Sequence, residues 1–464
     1  MIVDRYDPMN LFALVPQLRL EMEPELAGLD RLLADDVVFQ RVKADLACRY
    51  PNSLRLGRHS TPVEVILRML VVRRLYDWSY EQTERFVNDS LVLRQFCRLY
   101  LAAAPDDTTL IRWAKLIGLA TLDDLHEHIV GLARGLRVTR GRKLRTDGTV
   151  VETTIHHPSD SSLLRDGVRV VSRLLRRAQA VVGTAVTAGG ELFRDRTRSA
   201  TRLARQIGEA ARRRGSAAEE AHRATYRRLV AVAAASLRQA TAVQEALASR
   251  GEAGAVRLRQ QMGQIVPLVE QVIRQTRRRV VAGEAVPATE KLVSLFEPHT
   301  CIIRRGKVRQ PTEFGRKVWL DEVEGGIISR YAVLAGNPAD TQQGAPSLTQ
   351  HRRLFGRPPT VFATDRGGYS AANERLAQQA GVAYVALPQP GAKSPARVAH
   401  EQQRWFRRAQ RFRAGGEGRI SVLKRRGSLG RCRDKGEDGF RRWIGWGVIT
   451  ANLRTIARAV ATRA

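Results

Sequence analysis

Acidic residues at separate places in the chain could together hold divalent cations. Asp147 lies in the β-branched stretch LRTDGTVVETTI, Asp365 ends the apolar run PTVFATD, and a C-terminal region carries Glu401, Glu417 and Glu437. Widely spaced carboxylates can hold two magnesium ions roughly 4 Å apart. Such a pair of ions activates a water or hydroxyl and neutralises the leaving oxygen in phosphodiester cleavage. A lone aspartate at a strand end is more often a turn or helix-cap residue, so spacing alone leaves the assignment open.

The segments around the two aspartates predict a mixed α/β fold. Short β-rich runs cover 299–304, 317–322 and 327–334, and the strand ending at Asp365 is followed by a helical run over 371–380 and the strand VAYVALP. This strand, helix, strand order predicts a mixed sheet. Glu152 lies five residues beyond Asp147, and this odd spacing points it to the opposite face of the strand, away from the candidate site.

The N-terminal region predicts a helical pair. Apolar residues recur at helical spacing over 61–99. Thr61 with Glu64 predicts a start of the capping-box kind, and Ser79 with Gln82 predicts a second start. The second helix, over 80–88, could read DNA, but such pairs are also common as plain packing modules.

Composition points to a polyanionic partner. Lys and Arg number 78 against 46 Asp and Glu, which gives a formal net charge of +32. Nucleic acid fits this excess best, because cationic side chains displace counterions condensed on phosphates. Arginine-rich helices predicted between 162 and 279 are either DNA-contacting or simply solvated. The sequence has no secretory leader pattern and no membrane-spanning run, so we expect a cytoplasmic, nucleoid-associated protein without a membrane partner.

The order of several motifs resembles bacterial insertion-sequence transposases with a ribonuclease H-like catalytic domain, especially the ISNCY-type group. The resemblance covers most of the chain. Its carriers are the helical region 58–99, RTDGTVVETTIHHPSDSSLLRDGVRV at 145–170, HTCIIRRGKVRQPTEFGRKVWLDE at 299–322, ATDRGGYS at 363–370, RAGGEGRISVLKRR at 413–426 and GVITANLRTIA at 447–457.

The resemblance implies a fold class and a domain plan. The fold would be α/β, with a ribonuclease H-like mixed sheet core, a helical N-terminal domain and a basic all-helical insertion. The implied boundaries are a DNA-binding domain at 1–140, the first part of the catalytic core at 141–194, the insertion at 195–285, and the rest of the core with C-terminal helices at 286–464.

The resemblance also implies a catalytic triad of carboxylates. Asp147 and Asp365 match the first and second acidic residues of the family and Glu417 matches the third, so these three would bind two Mg²⁺ or Mn²⁺ ions. The related motif Tyr-x2-Arg-x3-Glu-x6-Lys is met by Arg413, Glu417 and Lys424, with Gln410 at the tyrosine position. Arg413 and Lys424 would contact DNA phosphates near the cut.

Glu401 is the alternative third carboxylate. It leaves 35 residues between itself and Asp365, an interval that resembles retroviral integrases and several other transposases. The helical spacing of Arg413, Glu417 and Lys424 favours Glu417 instead. Gly415 and Gly416 predict a break just before Glu417, with a new helix beginning there.

The implied function is metal-dependent DNA cleavage at the ends of an insertion sequence, followed by strand transfer into target DNA. Its partners would be terminal inverted repeats and target DNA, bound by a homodimer or larger assembly. Two alternatives remain: a structure-selective nuclease of the same fold, and a non-catalytic DNA-binding regulator.

Overall fold

A six-stranded mixed sheet and many helices make up the part of the chain that the structure describes. The structure is a computed structural model and describes residues 1–6, 21–50, 52–57, 59–182, 193–212, 215–304, 311–427 and 429–463. The chain divides into two units, the first formed by Met1–Glu152 with Arg316–Ala464 and the second by Thr153–Gly315. The fold is therefore α/β, as predicted.

The elements follow one another in a helix-rich order. The first unit begins with helices α1 (Pro24–Leu32), α2 (Asp36–Ala47), α3 (Val63–Leu75), α4 (Tyr80–Asp89), α5 (Leu91–Phe96), α6 (Asp107–Leu116) and α7 (Leu119–Gly135), followed by strand β1 (Lys143–Glu152). The second unit contains α8 (Asp160–Val182), α9 (Thr197–Ala210), α10 (Ser216–Ala246), α11 (Ala253–Thr276) and strand β2 (Cys301–Arg304). The rest comprises β3 (Thr312–Val323), β4 (Ile327–Val333), α12 (Gly344–Phe355), β5 (Val361–Ala363), α13 (Ala371–Gln379), β6 (Tyr384–Ala386), α14 (Pro395–Gln402), α15 (Arg404–Arg426) and α16 (Glu437–Ala461).

Strand β1 lies in the middle of the sheet. The order is β2-β3-β1-β5-β6, and β4 pairs with β3 outside this path. Strand β3 is antiparallel to β4, whereas β5 is parallel to both β1 and β6. Within the second unit, β2 pairs antiparallel with residues 312–315. The strands predicted at 299–304, 317–322 and 327–334, the strand ending before Asp365 and the strand in VAYVALP are confirmed, as is helix α13 between the last two.

Helix α16 is the centre of the first unit's hydrophobic core. It packs against α1, α3, α7 and β4 and is buried along most of its length. At Gly28 of α1 an added Cβ would lie 2.8 Å from Cβ of Ala457. The absence of a side chain at Gly28 therefore allows α1 and α16 to pack closely. The buried Asn452 amide accepts from the N–H of Ile328 and donates to its carbonyl, which fixes β4 against α16. The N-terminal helices thus share their core with the C-terminal one.

The two predicted helix starts in the N-terminal region have different outcomes. At α4 the capping box is confirmed, because Ser79 accepts from the Gln82 N–H and Gln82 accepts from the Ser79 N–H. At α3 the helix begins near the expected position, but Pro62 is the N-cap and no side chain caps it. The prediction for Thr61 is wrong because Glu64 is instead bound by Arg68 and Arg5.

The second unit is built around a helical bundle. Helices α8 to α11 pack on one another around apolar residues that include Leu164, Leu229 and Met262. Polar contacts tie the bundle at one end, where the Gln275 amide donates to Asp160 and to the Leu292 carbonyl. Among the described helices of the chain, none combines the length and the apolar composition that crossing a lipid bilayer requires.

Two buried histidines in the first unit make its stability sensitive to acid. His126 bonds to the Ile328 carbonyl and His351 to the Gly141 carbonyl, both through Nε2. Burial lowers the pKa of both imidazoles, that of His351 to about 4. The unfolded chain therefore takes up protons below about pH 6.5 that the native chain does not, so stability is full above that pH and is lost as the pH falls towards 4.

We expect His351→Gln to flatten this acid response, since a glutamine amide can also donate to the Gly141 carbonyl but does not titrate. Between pH 7 and pH 4.5 the wild-type chain should lose about 2–3 kcal/mol more stability than the variant, because one pKa unit corresponds to about 1.4 kcal/mol. Urea unfolding at both pH values measures the difference. Equal losses in the two proteins would show that His351 titrates normally in the native state.

Candidate active site

Asp147 lies near the middle of the central strand. Alternation along β1 places Asp147 on the same face as Arg145, two residues earlier. The next residue, Gly148, brings the strand close to β3, since an added Cβ would lie 3.3 Å from both Lys317 and Trp319. Glu152 at the strand's end pairs with Arg431 at 2.7 Å, outside the candidate site.

Asp365 lies beside Asp147. Strands β1 and β5 are parallel, with Lys143 opposite Val361 and Arg145 opposite Ala363. Continuing this register by two residues beyond Ala363 brings Asp365 level with Asp147. Asp365 caps the short turn Arg366–Gly368, and its carboxylate accepts from the Gly368 N–H at 3.2 Å. Asp365 therefore caps a turn and also lies beside the other candidate carboxylate, Asp147.

Helix α15 carries Arg413 and Glu417 next to the middle of β1 and the carboxyl end of β5. It packs against β1, β5 and β6. The Arg413 guanidinium donates to Asp147 at 3.2 Å and to Glu417 at 2.8 Å, and it lies 3.9 Å from the Asp365 carboxylate. One guanidinium, only 17% exposed, therefore joins the three predicted carboxylates. Glu417 is the outermost, with 66% of its side chain exposed.

The glycines before Glu417 do not break the helix, so that prediction is wrong. Helix α15 runs without interruption from Arg404 to Arg426. A Cβ at Gly415 would lie 2.7 Å from Nη1 of Arg145, and one at Gly416 would lie 3.4 Å from its Cδ. The two glycines thus allow the helix to approach β1 closely, and this contact offsets their poor helix propensity of about 1 kcal/mol each.

Arg145 is a positioning residue that the sequence did not single out. Its guanidinium donates to both carboxylate oxygens of Glu322 on β3 and to the Phe412 carbonyl on α15, and it lies over the Phe412 ring. It therefore ties the central strand, its neighbour and the site helix together. The available signal was its position two residues before Asp147, which implies the same face of the strand.

Gln410 holds the site helix against the strand ends. Its amide donates to the Ala386 carbonyl at 2.8 Å and to the Thr364 carbonyl at 3.3 Å. These carbonyls follow β5 and end β6, so Gln410 fixes α15 one turn before Arg413. The residue at the tyrosine position of the related motif therefore makes backbone contacts in this chain.

Glu401 has a different set of partners. Its carboxylate accepts from the Gln389 N–H at 2.8 Å, from Arg397 at 2.9 Å and from Lys393. Desolvation raises its pKa, but these hydrogen bonds outweigh the effect and hold the pKa below its usual value. Glu401 thus links helix α14 to the loop before it, whereas Glu417 shares the Arg413 guanidinium with Asp147.

Lys424, the lysine of the predicted Arg-x3-Glu-x6-Lys motif, lies on the same helix as Glu417. Seven residues separate them, which places them on one side of α15. Across the described residues, no three His, Cys, Asp or Glu side chains lie close enough together to hold one metal ion. The three candidate carboxylates lie around the Arg413 guanidinium.

Comparison with protein families gives one match in the N-terminal region. Residues 17–116 match the family described as Transposase domain (DUF772). The match supports a transposase-family protein. Such a family implies an enzyme of the DNA-transposition type. No curated protein and no solved structure matches the chain. The matched segment covers less than a quarter of the 464 residues and ends before β1, so it does not include the candidate carboxylates.

Proposed function

We propose that this chain is a DNA transposase of the DDE type, which cleaves DNA at the ends of an insertion sequence and transfers the cut strand into target DNA. The observation that carries the proposal is the meeting of Asp147, Asp365 and Glu417 around Arg413. The three carboxylates come from a strand, a turn and a helix that are far apart in sequence. The net charge of +32 favours DNA as the substrate.

The three carboxylates are chemically suited to bind two Mg²⁺ or Mn²⁺ ions. Carboxylates supply the hard oxygen ligands that these ions prefer. The three side chains already surround one cationic group, and Asp365 follows the strand β5 that pairs in parallel with the strand of Asp147. Bound ions would activate the attacking water or 3′-hydroxyl and neutralise the leaving oxygen. Asp147, Asp365 and Glu417 would hold them, and the exposed Glu417 is free of packing that would prevent its rotation.

Arg413 has two roles in this proposal. Without divalent cations, its guanidinium neutralises the carboxylates that would otherwise repel one another. On DNA, Arg413 would move to a phosphate near the cut, where Lys424 on the same side of α15 would contact a neighbouring phosphate.

Replacing Arg413 should therefore strengthen metal binding. In Arg413→Gln the carboxylates lose their internal cation, and we expect Mn²⁺ to bind about tenfold more tightly, since a tenfold change needs only about 1.4 kcal/mol. Electron paramagnetic resonance titration of Mn²⁺ measures the affinity without any reaction. Arg411→Gln, an exposed arginine of the same helix, is the matched control. Unchanged Mn²⁺ affinity in Arg413→Gln would argue against the shared site.

The strand arrangement supports a ribonuclease H-like core. The first carboxylate is on the central strand, the second follows the parallel strand next to it, and the third is on a helix that packs against both. The resemblance implies that Asp147 and Asp365 lie on β-strands and Glu417 on a helix. Asp365 instead lies in the turn two residues after β5.

Further parts of the proposal concern DNA binding and assembly. The N-terminal helical region would recognise the terminal inverted repeats, and the basic helices of the insertion would cover DNA backbone. Transposition requires that two DNA ends be held together, so we propose a homodimer or larger assembly on DNA.

Strand transfer with oligonucleotides copied from the DNA flanking the gene tests the function. Full-length protein with Mg²⁺ should first release a 3′-hydroxyl at the element end and then join it to a second duplex. Cleavage without joining would identify a structure-selective nuclease. Binding without either reaction would identify a non-catalytic regulator.

A further inference from the structure

A second cleft in the first unit is lined in part by arginines that pair with no carboxylate among the described residues. The cleft lies between α3, α15 and α16 and includes Arg74, Arg419 and Arg426. Among the described residues, no carboxylate lies within 4.0 Å of these three guanidiniums. Arg454 and Arg458 at the rim are different, because both pair with Glu25. The cleft therefore carries excess positive charge.

Arg74 is the most buried of these cations. Its side chain is 2% exposed and stacks on the Trp443 ring at 3.8 Å. Nη2 donates to the Gly427 carbonyl, whereas Nε and Nη1 have no hydrogen-bond acceptor in the described chain. Burial lowers the pKa of Arg74 to about 9, so the guanidinium is still charged at neutral pH. Buried charged donors are normally satisfied, and these two lack an acceptor.

Another buried arginine of helix α3, Arg68, has hydrogen-bond acceptors for its guanidinium. Arg68 is fully buried, but it donates to Glu64, to Asp30 and to the Phe96 carbonyl. Among the described residues, Arg68 thus has carboxylate acceptors, whereas the Arg74 guanidinium donates only to the Gly427 carbonyl. Two donors of the buried Arg74 guanidinium are therefore available to an additional acceptor.

The backbone around the cleft makes room for the guanidinium. A Cβ at Gly447 would lie 2.6 Å from Nη2 of Arg74 and 2.8 Å from the Leu429 side chain. Any larger residue at 447 would displace Arg74 from its place over Trp443. Arg419 reaches the same cleft from α15. One of its nitrogens donates to the Thr455 hydroxyl, and Nε has no acceptor in the part of the chain that the structure describes.

This cleft adjoins the carboxylate site. Arg419 and Leu423 line both this cleft and the cleft beside Asp147 and Arg413. A DNA strand that presents one phosphate to the carboxylates could therefore present another phosphate of the same strand to the arginines. Guanidinium groups bind phosphate oxygens in a bidentate manner, which suits this set of donors.

We propose that Arg74, Arg419 and Arg426 form a phosphate-binding subsite for the backbone of the DNA strand that enters the carboxylate site. The proposal rests on the proposed DNA function of the chain. It assigns to these arginines the placement of the strand along α15, separate from the chemistry at Asp147.

Equilibrium DNA binding by the full-length chain, without divalent cations, tests the subsite independently of cleavage. Each lost phosphate contact should reduce the slope of log K against log salt by about one and weaken binding to all sequences alike. We expect this change in Arg419→Gln and in Arg426→Ala, measured by fluorescence anisotropy with oligonucleotides of arbitrary sequence. Arg425→Ala is the matched control, because Arg425 is exposed next to Arg426 and does not line the cleft.

A neutral methylphosphonate placed at one position at a time along the strand adds a second readout. At the phosphate that contacts Arg419, the methylphosphonate should weaken DNA binding by the wild-type chain but should have little further effect on DNA binding by Arg419→Gln. The subsite is refuted if Arg419→Gln and Arg426→Ala change the salt slope no more than Arg425→Ala does. Stabilisation by inorganic phosphate with unchanged DNA binding would also overturn it, in favour of a small phosphate ligand. Failure of the transposase proposal would instead be seen as absent strand transfer with these binding results intact.

Discussion

Asp147→Asn should reduce both DNA cleavage and strand transfer by at least about a thousandfold, since loss of one preorganised charge-stabilising group commonly costs a factor of 10²–10³ and Asp147 would also hold metal. The asparagine keeps an acceptor for the Arg413 guanidinium, which donates to Asp147 at 3.2 Å. The central strand should therefore retain its packing. DNA binding, which depends on the arginines and lysines, should stay within about twofold of wild type.

The control for this variant is Glu152→Gln on the same strand. Glu152 pairs with Arg431 and takes no part in the carboxylate group around Arg413. Cleavage and joining of labelled oligonucleotides, with binding measured in parallel, should separate the two variants. Cleavage by Asp147→Asn at the wild-type rate would remove Asp147 from the chemistry, whatever the effect of Glu152→Gln.

Glu417→Gln should lose strand transfer to a similar extent, whereas Glu401→Gln should keep it. Glu417 shares the Arg413 guanidinium with Asp147, but Glu401 is bound by Gln389, Lys393 and Arg397. The main effect of Glu401→Gln should be on stability, because Lys393 and Arg397 would lose the negative charge with which they pair. We expect a loss on the order of 1–3 kcal/mol, the usual range for breaking such a hydrogen-bonded charge.

Strand-transfer rates and urea unfolding, measured on both variants, distinguish these two roles. Glu417 is largely exposed, so its replacement should leave unfolding within about 0.5 kcal/mol of wild type. The reverse pattern, with transfer retained in Glu417→Gln and lost in Glu401→Gln, would make Glu401 the third catalytic carboxylate.

Features that depend on local sequence were predictable. The capping box of Ser79 and Gln82 involves residues three apart, and the strands around Asp365 are marked by apolar runs between glycines. The odd spacing of Glu152 from Asp147 likewise predicted that these two carboxylates point to opposite faces of β1. These patterns suffice for the α/β class and for most of the strands.

Features that depend on distant contacts were not predictable. Gly415 and Gly416 indicate a helix break locally, yet α15 continues because Arg145 from β1 fills the space beside them. Likewise, Thr61 could cap a helix, but Glu64 is bound by Arg68 and Arg5. In both cases a partner far away in sequence determines the local conformation, and the same applies to the meeting of three carboxylates at Arg413.

The N-terminal helices depend on the C-terminal helix for their burial. The predicted 1–140 domain contains α1, α3 and α7, whose apolar faces pack against the C-terminal helix α16. A fragment ending at 140 would expose this surface. The DNA-binding role of the region is therefore best tested in the full chain.

Anomalous diffraction from crystals grown with Mn²⁺ and an oligonucleotide duplex tests the central claim most directly. The account predicts one or two manganese peaks within coordination distance, about 2.0–2.6 Å, of carboxylate oxygens of Asp147, Asp365 and Glu417. The Arg413 guanidinium should have moved away from them towards the DNA. Peaks at Glu401, or bound DNA with Arg413 still between the three carboxylates and no manganese there, would contradict the account.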